Sequence, residues 1–184
     1  MLTNFVLTLT GPDRVGIVDE VTGVLLNRGG NVEISRMVRL GGEFAVLMLV
    51  STPSESFTGL DADLEALTAK GYRITTTPAE RAHEELHPGC LRYRIQVHGA
   101  DHEGIIHQVA HYLSQHGVNI ESMDSETTPA PLSGAPLFAM TALVVLPPDL
   151  LVPQWESGLD KLAEHLNVEI DAVATGGPER ASIV

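Results

Sequence analysis

The chain repeats itself, and no other feature of its sequence constrains the fold as tightly. Displaced by 88 positions, residues 10–33 lie over residues 98–121 without a gap. Nine of the 24 paired positions are identical: Gly11/Gly99, Asp13/Asp101, Gly16/Gly104, Ile17/Ile105, Val21/Val109, Leu25/Leu113, Gly29/Gly117, Asn31/Asn119 and Glu33/Glu121. Unrelated segments at ordinary residue frequencies would share about one or two. The pairing resumes at a displacement of 94, where Glu43–Val50 resembles Leu137–Val144. The six extra residues fall in Thr127–Pro136, whose Pro, Gly and Ser content reads as a loop that absorbs insertions. A fold built twice is therefore required. The expected division is a first domain over 1–78, a linker over 79–89, a second domain over 90–176 and a tail over 177–184.

Each copy reads β-α-β-β-α-β. Phe5, Leu7 and Leu9 alternate with Asn4, Thr8 and Thr10, and Tyr93, Ile95 and Val97 alternate with Arg92, Arg94 and Gln96. That is the period of a strand with one wet face, as in an antiparallel sheet covered by helices on one side. Ile17, Val21, Val24 and Leu25 form a helical stripe, with Asp13 as the expected N-cap and Gly29-Gly30 as the stop. Val32–Leu40 and Glu43–Ser51 read as strands turned at Gly41-Gly42. A second helix is marked by Leu60, Leu64 and Leu67 in copy one, and by Trp155, Leu159, Leu162 and Leu166 in copy two. Tyr72–Thr76 and Val168–Val173 close the copies. The expected fold class is α+β: two ferredoxin-like βαββαβ domains, antiparallel sheets with helices on one face. The second strand should be a sheet edge, open to pairing within or between chains.

Composition excludes several functions. Eleven basic against 24 acidic side chains give a formal net charge of −13, which repels phosphate backbones and anionic lipid. Direct nucleic-acid or membrane binding is not expected. A single cysteine, Cys90, allows no intrachain disulfide or cysteine-rich metal site. The amino terminus lacks a basic leader and reads as a strand, so a soluble cytoplasmic protein is expected. His107 and His111 share a helix face opposite Val109, with no third ligand evident, so no metal or cofactor is expected. No catalytic motif is present, and an enzyme using a histidine-lined cleft is the least favoured reading.

Chemistry could reside where each first strand turns into its helix, at Gly11–Ile17 and Gly99–Ile105. Free N–H groups and the helix dipole could hold a carboxylate there, through Val15, Gly16 and Ile17 or through Glu103, Gly104 and Ile105. Glycine in a first turn marks close approach of a ligand, or of the helix to the sheet. Asp13 and Asp101 fit helix capping as well as a site. Arg14 is replaced by His102 in copy two, which keeps a polar group at the turn. Asn31 and Asn119 open the second strands, where an amide offers both donor and acceptor, though Asn after Gly also suits a turn.

With these residues in hand, the chain resembles a tandem ACT-domain protein. The resemblance rests on Thr10-Gly-Pro-Asp-Arg-Val-Gly-Ile-Val18 with Gly29-Gly-Asn-Val32, and on His98-Gly-Ala-Asp-His-Glu-Gly-Ile-Ile106 with Gly117-Val-Asn-Ile120. Two copies at this length are most similar to the glycine cleavage system transcriptional repressor group. The resemblance implies a small-molecule ligand, an amino acid by family habit, bound at a domain interface. The amides around Gly16 and Gly104 would face its carboxylate. Asn31 and Val32, or Asn119 and Ile120, would contribute from a neighbouring domain's second strand. It also implies a transcription-regulator partner protein, a homodimer and no catalysis. The alternative is a dimerisation and interaction module that needs no ligand. Copy two departs from the family's Asp-Arg-x-Gly with Asp101-His102-Glu103-Gly104, placing an acid beside the proposed carboxylate.

Overall fold

The computed structural model describes residues 1–79 and 89–175, so most of the expected linker and the whole expected tail lie outside the described residues. The chain divides into two compact units, Met1–Glu84 and Glu85–Val184. The first unit runs β1 (Leu2–Pro12), α1 (Ile17–Asn27), β2 (Asn31–Leu40), β3 (Glu43–Pro53), α2 (Ser54–Phe57), α3 (Leu60–Thr68) and β4 (Arg73–Pro78). The second runs β5 (Leu91–Ala100), α4 (Ile105–Gln115), β6 (Asn119–Pro129), β7 (Pro136–Leu146), α5 (Val152–Leu166) and β8 (Val168–Ala174). Each unit holds one antiparallel four-stranded sheet, ordered β2-β3-β1-β4 and β6-β7-β5-β8. This is the ferredoxin-like arrangement twice, with the second strand of each copy at an edge. Among the described residues, the one-turn α2 has no counterpart in the expected order of elements.

Burial follows the period-two pattern. Phe5, Leu7 and Leu9 of β1 and Val46, Met48 and Val50 of β3 pack beneath Ile17, Val21 and Leu25 of α1 and Leu60, Leu64 and Leu67 of α3. The second core repeats this with Tyr93, Ile95 and Val97 under Val109, Leu113, Trp155 and Leu159. The open face of the first sheet differs from the expected wet surface. Ile34, Val38 and Leu40 of β2 and Leu47 of β3 are exposed on it, whereas Ser122, Asp124, Glu126 and Thr128 hold the matching positions of β6. The alternation in β1 and β5 gave no view of this, because the apolar side chains lie on β2 and β3.

The stretch Thr127–Pro136 is also not all loop. Thr127, Thr128 and Pro129 stay paired with Phe138, Leu137 and Pro136, leaving a tight connection closed by Ala130 N to Ala135 O at 2.8 Å. Extra residues lengthen the hairpin because each added pair extends the ladder.

At Gly11 and Gly99 the first strand of each unit closely approaches the segment that leads into the last strand. A Cβ on Gly99 would lie 2.7 Å from Val168 Cγ1 and 3.1 Å from Val168 Cα, and one on Gly11 would lie 2.6 Å from Tyr72 Cδ1. Gly99→Ala must push β8 away and should cost about 1–3 kcal/mol. Urea denaturation of this variant checks that, with an unchanged midpoint as the contrary result.

Candidate functional site

The strand-to-helix junctions are built alike in the two units. The helices start later than the sequence suggests: Gly16 and Gly104, not Asp13 and Asp101, are the N-caps, and neither makes a side-chain cap bond. Both glycines sit in the left-handed region, at φ 91° and φ 93°. Added Cβ atoms there would meet nothing closer than 3.9 Å, so packing against the sheet is not the reason for glycine. The reason is backbone: a side chain is strained at this φ. The first intrahelical bonds are Glu20 N to Gly16 O at 3.0 Å and Gln108 N to Gly104 O at 2.9 Å. The amides of Ile17, Val18 and Asp19, and of Ile105, Ile106 and His107, therefore lack intrahelical partners. Ile17 and Ile105 send their side chains into the core, while Val15 is 99% exposed.

Asp13 is drawn away by a neighbour that sequence spacing does not reveal. The register Arg39↔Phe44↔Gly11 brings the end of β2 beside the junction, where Arg39 Nε donates to Asp13 Oδ2 at 2.7 Å. Arg14 donates two bonds to Glu20, at 2.8 and 2.7 Å, and lies 5.4 Å above the Tyr72 ring. Tyr72 in turn donates its hydroxyl proton to the Pro12 carbonyl at 2.8 Å. Lys70 Nζ adds a third donor to Glu20 at 2.8 Å. Arg14 first, and Lys70 second, hold the Glu20 carboxyl at about 2, below its ordinary 4.5.

The second junction keeps the acid, as Asp101, but changes the ion pair beside it. His102 stands for Arg14 and Gln108 for Glu20. His102 contacts the Leu166 carbonyl through Nε2 at 2.7 Å and the Glu103 carbonyl through Nδ1 at 3.2 Å. Carbonyls only accept, so the imidazolium satisfies both contacts, and its pKa is raised chiefly by Leu166. A cavity of about 540 Å³ opens here, lined by Asp101, His102, Gly104, Ile105, Ile106 and His107 with Ser125, Glu126, Thr127 and Phe138.

Four of the expected residues thus come together in the second unit: Asp101, His102, Gly104 and Ile105. Glu103 flanks them. Asn31, Val32, Asn119 and Ile120 do not join their own junctions. Asn31 lies in register with Ser51 and Asn4, at the opposite end of β1 from Pro12. Asn119 pairs with Val145 in the matching row of the second sheet. Val32 and Ile120 pack on the two cores. The wall residues Ser125, Glu126, Thr127 and Phe138 were missed, because only strand register, Thr127↔Phe138↔Gly99, carries them to the junction.

Against known proteins, residues 3–75 match the ACT domain family. The chain is 30% identical over 125 residues to the glycine cleavage system transcriptional repressor of Escherichia coli strain K12. That match takes in 68% of this chain and 65% of the relative. A solved structure of an unknown protein from Galdieria sulphuraria is 35% identical, with a TM-score of 0.84, over 95% of this chain and 99% of that one. A crystal structure of a candidate glycine cleavage system transcriptional repressor shares the fold, with a TM-score of 0.69 at 20% identity over 96% and 99% of the two chains. Residues 3–75 belong to the ACT domain family, and the second unit repeats their fold. Within that class the chain resembles the glycine cleavage system transcriptional repressors.

The Glu20 network has a pH signature. A carboxyl depressed in the folded state stabilises the fold fully above its unfolded value and loses that contribution as protons bind. Stability should fall between about pH 4.5 and about pH 2 through this group, and Glu20→Gln should flatten that part of the profile. Urea midpoints of both proteins across the window check this, and parallel profiles would contradict it.

Proposed function

We infer that the protein is a non-enzymatic regulator that binds a small ligand, an amino acid, at ACT-domain interfaces and controls transcription through a partner regulator. The observation carrying this reading is the pair of helix starts opened by Gly16 and Gly104. Each offers three consecutive free amides at the positive end of a helix dipole, a match for a carboxylate. The approximately 540 Å³ cavity beside Gly104 has room for a molecule of amino-acid size. Asn31 and Asn119 sit at sheet edges, far from their own junctions, so a neighbouring domain is their natural customer. That requires two domains for one site and supports action as a homodimer.

The relation to a transcriptional repressor directs the output to gene control. The charge of −13 speaks against gripping DNA, and so for a protein intermediary in the cytoplasm. No helix among the described residues is long and apolar enough to cross a membrane. The junctions differ in their ionic groups: Arg14 and Arg39, each paired with a carboxylate, flank the first, whereas His102 stands at the second. A second reading, an interaction module independent of ligand, is favoured by the exposed Ile34, Val38, Leu40 and Leu47.

A thermal-shift panel of the twenty amino acids separates the two. A ligand at about 100 times its dissociation constant adds about 2.7 kcal/mol, or roughly 5–10 °C for a chain of this size. The sensor reading expects a shift confined to one or two amino acids, reduced in Asn31→Ala or Asn119→Ala. A flat panel in a folded protein supports the module reading.

A further inference from the structure

The two units solve the same packing problem differently behind their first helices. In the first unit, Arg28 caps the end of α1 and reaches across to the start of α3. Its Nε donates to Asp63 Oδ2 at 2.6 Å, Nη1 to Thr58 O at 3.1 Å and Nη2 to Gly59 O at 3.2 Å. The repeat places His116 at this position, also as helix cap and with nearly the same backbone angles. One neighbour corresponds as well. A Cβ on Gly29 would touch Pro53, and one on Gly117 would touch Pro147.

His116 does not reach across. Its Nδ1 donates to the Tyr112 carbonyl at 2.8 Å, and its ring packs on the Tyr112 ring with centroids 4.3 Å apart. A cavity of about 500 Å³ remains between α4 and the start of α5, lined by Tyr112, His116, Asp149, Gln154, Trp155 and Gly158, among others. Gly158 stands in the place of Asp63, and a Cβ there would collide with the Tyr112 hydroxyl. The carboxylate of this cavity is instead Asp149. Trp155, at 1% exposure, has a buried Nε1–H with no hydrogen-bond partner.

We propose that this α4–α5 cavity is a binding site for a guanidinium group supplied from outside the chain, seated where Arg28 sits in the first unit. A planar guanidinium fits for three reasons. The equivalent space in the repeat already holds one. Asp149 provides the opposite charge. The Tyr112 and His116 rings provide aromatic faces on which guanidinium stacks better than ammonium. The site lies apart from the Gly104 junction and needs no carboxylate on its ligand.

The chain's single tryptophan makes the test direct, because Trp155 lines the cavity. The full chain, labelled with nitrogen-15, is titrated with agmatine, which has a guanidinium and no carboxylate. The Trp155 indole N–H signal is followed at constant ionic strength. It should move saturably, with a dissociation constant on the order of 1 mM for one charge-assisted group. Asp149→Asn should weaken this at least about tenfold. His116→Arg should abolish it by filling the cavity from within. Putrescine, with ammonium groups only, should bind at least about tenfold more weakly. A stationary indole signal in the unaltered protein overturns the proposal, as does an unchanged curve in either folded variant or an equal response to putrescine. Agmatine cannot occupy a carboxylate site, so failure here leaves the amino-acid reading untouched, and the reverse holds.

Discussion

Everything at the candidate site depends on how a strand is joined to the helix that covers it. In each unit the first strand ends against the first residues of the last strand, so tightly that only glycine fits at Gly11 and Gly99. The chain must then reverse onto the sheet within a few residues. It does so through a left-handed glycine, Gly16 or Gly104, which admits no side chain without strain. That reversal points the unpaired amides of the first helical turn outward. The backbone geometry that lets the helix cover the core is thus the same geometry that leaves an anion-attracting end exposed.

Duplication then allowed the two copies to diverge in charge while keeping this backbone. The first junction is locked by Arg14, Glu20, Lys70 and Tyr72, with Arg39 reaching in from the edge strand. The second relies on one imidazole between two carbonyls, with acidic neighbours. Behind the helices the trend is the same: Arg28 ties its unit together, whereas His116 leaves space. The edge strands follow suit, apolar on the open face of β2 and polar on that of β6. Two copies with one fold thus differ at the junction, at the end of the first helix and at the edge strand.

The architecture was legible in the sequence because periodicity and the glycine stops appear twice. The β1 and β5 alternation, the Gly29 and Gly117 helix ends and the edge position of the second strand all follow from local chemistry. What escaped was set by partners distant in sequence. Asp13 looks like a helix cap until the β2–β3 register brings Arg39 within 2.7 Å of it. Gly16 looks like a packing glycine until its φ of 91° is known. Phe138 and Thr127 join the second junction only through strand pairing. Asn31 and Asn119 lie at the end of the sheet away from their own junctions, a placement that strand register sets and sequence spacing does not show.

The central claim is that the helix-start amides take up an amino-acid carboxylate. The most direct measurement is the backbone amide spectrum of the nitrogen-15-labelled protein, titrated with the amino acid that gives the largest thermal shift. The expected result is saturable movement centred on one or both amide sets, Ile17, Val18 and Asp19 or Ile105, Ile106 and His107. Saturable movement that leaves both sets of amides in place would contradict it.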